Sequence, residues 1–312
     1  MDIVIIHKGF NKYVLYCLKQ LKITNKNSNV YLLSDKEYKE YSKYSIFVDI
    51  NNILSDDAKL FADKYIHLGK SNPSYEMFCM QRWIILRDFM KLYNIKECFY
   101  MDSDVLIFSN LDEALLPFKD YKISLISNLA LSMYIKDVSI LDEFSFFLLN
   151  KYTSEIEINK LKDMYYNTNR INDGVAGSIT DMELSIEFFS NKNVGDLSVI
   201  TNDSLFDIGL YYHEEFERIK KGKYSFKKIY FEGNIPYCNY VNNSENKKIR
   251  FHSLHFLTWT KIFIKDMCKY KDLNYNEYII NIYREFKVFQ NKIKKILCTG
   301  ARHIAVRNSL IS

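Results

Sequence analysis

Glycine and proline are scarce. There are nine glycines and three prolines among 312 residues, where average usage of the two together is roughly 12%. Collagen-like repeats and Pro/Gly-rich linkers are thereby excluded. No apolar run approaches the roughly 18 uncharged residues that a membrane-spanning helix needs, so none is expected here. The six cysteines (Cys17, Cys79, Cys98, Cys238, Cys268 and Cys298) form no CxxC and no Cys/His pair at metal-binding spacing. They read as reduced, mostly buried thiols of a cytosolic protein rather than a disulfide or zinc framework. The opening MDIVIIHKGF has no cationic lead and only four consecutive apolar residues, which predicts a first strand and not a secretory signal.

What is present is a core. Hydrophobic residues make up 48% and charged residues 26%, a balance that excludes intrinsic disorder. Aromatic side chains are abundant, with 25 Tyr and 22 Phe, and most are expected inside. The net charge is +5, but residues 284–312 hold seven basic residues against the single acid Glu285, so residues 1–283 sum to −1. A neutral body without a basic patch argues against a nucleic-acid partner. Apolar positions from Ile279 to Ile296 fit a helical stripe with most basic residues off it. That pattern suits an interfacial helix on an anionic membrane, or a helix packed on the body with a solvated basic face.

Hydrophobic periodicity predicts strands at residues 4–6, 30–33, 46–48 and 98–101, with a helix over 11–21 after the first of them. Residues 75–93 read as a helix apolar nearly all round, capped by Ser74 and therefore buried. Strands separated by helices over the first 110 residues argue for an α/β fold with a mainly parallel sheet and helices on both faces. Helices are expected at 139–152 and 181–189, with a polar loop over 167–177 between them. Residues 197–256 read as β-rich, with runs at 197–200, 226–231 and 249–256, and the chain turns helical from Lys261. This gives one domain over residues 1–265 and a basic helical extension over 266–312.

The sharpest chemical feature is Phe99-Tyr100-Met101-Asp102-Ser103-Asp104. In an extended backbone, carboxylates at i and i+2 project to the same side. The carboxyl end of a parallel strand is where open α/β sheets bind ligands. Two like charges there call for a cation between or beyond them, and a hard divalent ion bridging to phosphates meets that need. The alternative is a pair of exposed aspartates in a strand-end turn. A second feature is His252-Ser-Leu-His255-Phe-Leu-Thr-Trp-Thr-Lys261, where an imidazole could ligate a metal and the lysine could hold a phosphate. Arg82 lies on the buried helix, where a guanidinium is expensive unless paired. Its partner is either an aspartate of the DxD or a bound ligand, or else Glu76 or Asp88.

Together these residues resemble the donor site of GT-A-fold nucleotide-sugar glycosyltransferases. Phe99-Tyr-Met-Asp-Ser-Asp-Val-Leu-Ile-Phe follows a helix carrying Gln81-Arg82-Trp83, and His255-Phe-Leu-Thr-Trp-Thr-Lys261 is similar to the HxxGxxK element of the family 8 type. Thr258 stands where that element has glycine, a residue that lets the backbone approach a pyrophosphate. The resemblance covers residues 1–265 and implies a hexosyltransferase acting on a UDP-linked donor, with retention at the anomeric carbon. It further implies that Asp102, Asp104 and His255 ligate Mn²⁺ or Mg²⁺, that Asp102 also faces the ribose, and that Lys261 holds the diphosphate. His7 and Lys8, with Asn11, would touch the nucleotide. Asp173 and Asp181 fall where such enzymes place sugar and acceptor contacts, although Asp181 also fits an ordinary helix N-terminal charge. The implied acceptor is a glycan or lipid-linked glycan of surface polysaccharide synthesis, and the implied location is the cytoplasm or the inner membrane face. A nucleotide-sugar-binding protein without activity is the second reading. A phosphohydrolase of the haloacid-dehalogenase pattern fits poorly, because the motif starts at residue 102 and Leu106 stands where that pattern has Thr or Val.

Overall fold

The computed structural model describes residues 1–171, 178–221, 224–242 and 245–269. The amino-terminal part comprises β1 (Asp2–Ile6), α1 (Lys12–Thr24), β2 (Val30–Ser34), α2 (Lys39–Ser42), β3 (Ile46–Asp49), α3 (Asp56–Lys64) and α4 (Pro73–Leu92). The middle holds β4 (Cys98–Tyr100), β5 (Val105–Ile107), α5 (Leu111–Ala114), β6 (Ile123–Ile126), β7 (Leu129–Ile135), α6 (Ser139–Thr153), α7 (Glu155–Ile171) and α8 (Asp181–Phe189). The remainder is β8 (Gly195–Asp196), β9 (Ser204–Phe206), β10 (Arg218–Lys221), β11 (Tyr224–Lys227), β12 (Tyr230–Glu232), β13 (Ile235–Asn242), β14 (Glu245–His255) and α9 (Ile264–Lys269).

A seven-stranded sheet in the order β3-β2-β1-β4-β7-β6-β8 forms the centre. Every neighbouring pair is parallel except the two made by β7. The mixed α/β class with a mainly parallel sheet is therefore as expected. Side chains of β1 alternate between two cores, as strand geometry requires. Ile3 and Ile5 join the layer with α1, while Val4 and Ile6 join the layer with α4 and α6. Helices thus cover both faces, and a sheet buried on both sides explains its near-continuous apolar strands.

A second sheet, in the order β12-β13-β14-β5 with β9 alongside β14, packs into the α1 layer. The chain passes from the first sheet to the second between β4 and β5, and Asp102-Ser103-Asp104 is that passage. β14 runs antiparallel to β5 with His255 opposite Val105, so its last residue arrives beside the same passage.

Several expectations need correction. The helix over 75–93 starts earlier, at Pro73, and its cap is Asn72, whose side chain accepts from the Tyr75 N–H at 3.2 Å. Pro73 at the first helical position has no N–H to satisfy, which favours that start. Residues 167–171 belong to α7 rather than to a loop; residues 172–177 lie outside the described residues. Residues 197–200 are not a strand, because Asp196 accepts from the Ser198 N–H at 2.9 Å and turns the chain. The run at 226–231 is divided between β11 and β12. Residue 265 lies in α9, which packs against α1 and buries Ile264 and Met267. The basic stretch 284–312 lies outside the described residues. Among the described residues no helix is long and apolar enough to cross a membrane.

Candidate functional site

Asp102 and Asp104 converge by a different backbone from the one the i, i+2 argument assumes. The passage is a turn, in which the Val105 N–H donates to the Asp102 carbonyl at 3.2 Å. Asp102, Asp104 and His255 each present a ligating atom within 4.8 Å of the others. His255 Nε2 lies 3.3 Å from Asp104 Oδ1 and 3.9 Å from Asp102 Oδ2. The register makes this meeting obligatory, since the Phe256 N–H donates to the Asp104 carbonyl at 3.0 Å and locks the strand end to the turn.

Arg82 projects from α4 beneath Asp102. Its Nη1 donates to Asp102 Oδ1 at 2.8 Å, and its Nη2 donates to Asp181 Oδ2 at 2.7 Å and to the Ala130 carbonyl at 3.1 Å. The guanidinium lies 4.6 Å from the Trp83 ring centroid, a contact that suits a planar cation. Tyr100 donates to Asp102 Oδ1 at 3.0 Å, and Trp83 Nε1 to Asp181 Oδ2 at 3.3 Å. The partner of Arg82 is thus an aspartate of the DxD, with Asp181 as a second and Glu76 and Asp88 uninvolved. Asp181 opens α8 behind Thr180, which forms a capping box with Glu183. Burial and neighbouring Asp102 hold the Asp181 carboxyl above its ordinary value, against the pull of Arg82.

On the opposite side, Lys261 Nζ sits 2.9 Å from Asp104 Oδ2. Burial alone would raise the Asp104 carboxyl, but His255 and Lys261 beside it hold it well below the usual carboxylate range. Burial would lower His255, yet Asp104, Asp102 and Asp207 around it draw its pKa upward. The ring is 1% exposed, and neither of its nitrogens has a hydrogen-bond partner among the described residues. A buried imidazole whose nitrogens make no hydrogen bond, beside two converging carboxylates, is a donor set that could hold a divalent cation such as Mn²⁺ or Mg²⁺.

His7 reaches the passage from the end of β1. The Asn11 amide nitrogen can only donate, so His7 Nε2 accepts from it at 3.1 Å and the Nδ1–H donates to Ser103 Oγ at 3.0 Å. Burial, with the Lys261 ammonium, lowers its pKa from 6.5 to about 4. The unfolded chain therefore protonates at His7 before the folded one does. Stability is lost as pH falls from 6.5 to about 4 and is untouched above that window. His7→Gln is expected to flatten the stability profile over that interval in urea unfolding; an unchanged profile would refute the assignment. Lys8 Nζ lies 4.1 Å from the Phe78 ring centroid. Asp173 lies outside the described residues. His252 is not brought to the carboxylates, because its Nδ1 is 2.8 Å from Ser109 Oγ at the other end of β5.

Three contributors escape sequence reasoning. Tyr100 carries a signal, since it shares a strand face with Asp102. Asp207 and Lys227 do not: their ion pair at 2.6 Å, fully buried on both sides, joins residues from β9's exit and β11. Asp207 Oδ2 accepts from the His255 N–H at 3.2 Å, so this pair holds the backbone that presents the imidazole.

No protein-family profile and no curated protein matches the chain. Similar solved structures include the glycosyltransferase GlyE of Streptococcus pneumoniae TIGR4, at 16% identity and TM-score 0.36 over 63% of this chain and 44% of that one. Mouse xyloside xylosyltransferase 1 is 14% identical with TM-score 0.42 over 66% of this chain and 88% of that one. The galactosyltransferase LgtC, solved with donor and acceptor sugar analogues, is 13% identical with TM-score 0.30 over 60% and 70%. The chain spans less than half the length of GlyE. At such scores the likeness is loose.

Proposed function

We propose that the chain is a GT-A-like, metal-dependent glycosyltransferase that moves a sugar from a nucleoside-diphosphate donor, UDP-linked, to a glycan or lipid-linked acceptor. The observation that carries this reading is the convergence of Asp102, Asp104 and His255 at the passage between two sheets, with Lys261 on the outer side of Asp104. Asp102, Asp104 and His255 would hold Mn²⁺ or Mg²⁺, which when bound neutralises charge developing on the departing diphosphate. Lys261 would add a second cation for the same phosphates. Arg82 fixes the Asp102 carboxylate, so less of its freedom is lost when a donor binds. Asp181 is already engaged by Arg82 and Trp83, and we give it the role of holding Arg82 rather than attacking the sugar. Asp173 is assigned to the acceptor side by resemblance, as is retention at the anomeric carbon.

A panel of nucleotide sugars with Mn²⁺, read out as release of UDP or GDP, tests the reading. Release from a UDP-sugar is expected, and release from none of the panel would overturn it. Binding of a UDP-sugar without any release over hours would instead favour the non-catalytic reading.

The membrane role of residues 284–312 is part of the proposal. Basic side chains near an anionic leaflet contribute about 1 kcal/mol each. Deleting these residues is expected to reduce sedimentation with phosphatidylserine vesicles while leaving UDP affinity unchanged. Equal sedimentation of both chains would reject a membrane role for the tail.

A further inference from the structure

The far end of β5 borders a cavity of about 220 Å³ whose lining includes Ser109, Glu113, Asn202, Phe206, Arg250 and His252. Four residues of near-extended chain lie between Asp104 and Ser109, a separation of roughly 16 Å at strand rise, so the cavity is separate from the carboxylate site. Its volume is below the roughly 300–1,000 Å³ of pockets for drug-sized ligands and suits a molecule of monosaccharide size.

The polar groups within it have an unusual balance. Arg250, half-buried on β14, donates from Nη2 to Ser109 Oγ at 3.0 Å. Its Nε is buried without a hydrogen-bond partner, and the guanidinium makes no ion pair among the described residues. A half-buried guanidinium with no anion beside it is a ready partner for a carboxylate or phosphate. The hydrogen bonds also fix the neighbouring ring. Ser109 Oγ accepts from Arg250 and also shares a hydrogen bond with His252 Nδ1, 2.8 Å away. Burial and the Arg250 charge lower the His252 pKa to about 4, which keeps the ring neutral at neutral pH. Glu113 is exposed at the rim and would repel an anion placed beside it, yet it accepts readily from a hydroxyl.

We propose that this cavity is a second binding site, for an anionic monosaccharide whose carboxylate or phosphate meets Arg250 while its hydroxyls face Glu113 and Asn202.

Calorimetric titration of the full chain without metal, using glucuronate and glucose 6-phosphate as probes and glucose and inorganic phosphate as controls, tests it. At least one anionic sugar should bind at least about tenfold tighter than either control, a gap of about 1.4 kcal/mol. Which of the two binds tells carboxylate from phosphate. Arg250→Met should weaken that binding by at least about tenfold, and Lys261→Ala should leave it intact. No binding at millimolar concentration, affinity no better than that of inorganic phosphate, or loss in Lys261→Ala would overturn the proposal. Should Arg250→Met fail to fold, amide shift perturbations in the wild-type chain decide. Changes at residues 109, 202 and 250 support the cavity, and changes confined to 102–104 reject it.

Discussion

Replacing Lys227 with Met is expected to destabilise the fold by about 3–5 kcal/mol, the usual result of leaving one member of a buried ion pair alone. Lys227 Nζ lies 2.6 Å from Asp207 Oδ1 and donates to the Gly209 carbonyl at 2.8 Å, and both side chains of the pair are fully buried. Without the ammonium, Asp207 keeps the His255 N–H at 3.2 Å and little else to neutralise it. Against a typical total of about 5–15 kcal/mol, that loss threatens folding outright. Adding Asp207→Leu to Lys227→Met should recover most of the stability, because an apolar pair of similar volume is often neutral or better. Urea unfolding of the two single variants and the double variant gives the coupling directly. A loss below about 1 kcal/mol in Lys227→Met would show that the pair is not what holds this end of β14. The rescued double variant separates stability from function. It should fold, yet bind UDP with Mn²⁺ less tightly, since the His255 backbone has lost its anchor.

Asp104→Asn is expected to remove the Mn²⁺-dependent part of UDP binding and to lower turnover of the UDP-sugar by at least about 10²–10³-fold, the scale of losing one electrostatic stabiliser of a transition state. The substitution keeps the shape while removing the charge that both His255 and Lys261 face, at 3.3 and 2.9 Å. Calorimetry of UDP with and without Mn²⁺ checks it. Equal metal dependence in wild type and Asp104→Asn would sink the donor-site assignment. A loss of stability is part of the expectation, because the His255 and Lys261 contacts that hold Asp104 below the usual carboxylate range stabilise the folded chain.

Much of the fold was legible because its signals are local. The strands at 4–6 and 30–33 and the buried helix over α4 announce themselves by periodicity alone. Asp102 and Asp104 were found for a partly wrong reason: the sequence argument used strand alternation, whereas a turn brings them together. Arg82 was legible as a buried charge in want of a partner, but Asp181, 99 residues away, could not be named as one from spacing. The Asp207–Lys227 pair leaves no local trace, because each residue sits in an ordinary run and only the packing of two strand segments joins them. Short edge strands such as β8 were missed for a similar reason, since two residues paired with β6 carry no period.

Thr258 has φ +51, the left-handed region that a β-branched residue rarely adopts. Its hydroxyl meets Tyr211 at 2.9 Å, and the surrounding turn holds the backbone in the conformation that glycine takes without strain. Letter and dihedral have come apart at this position. Where neighbouring hydrogen bonds dictate a bend, a β-branched residue can hold a torsion that glycine takes freely.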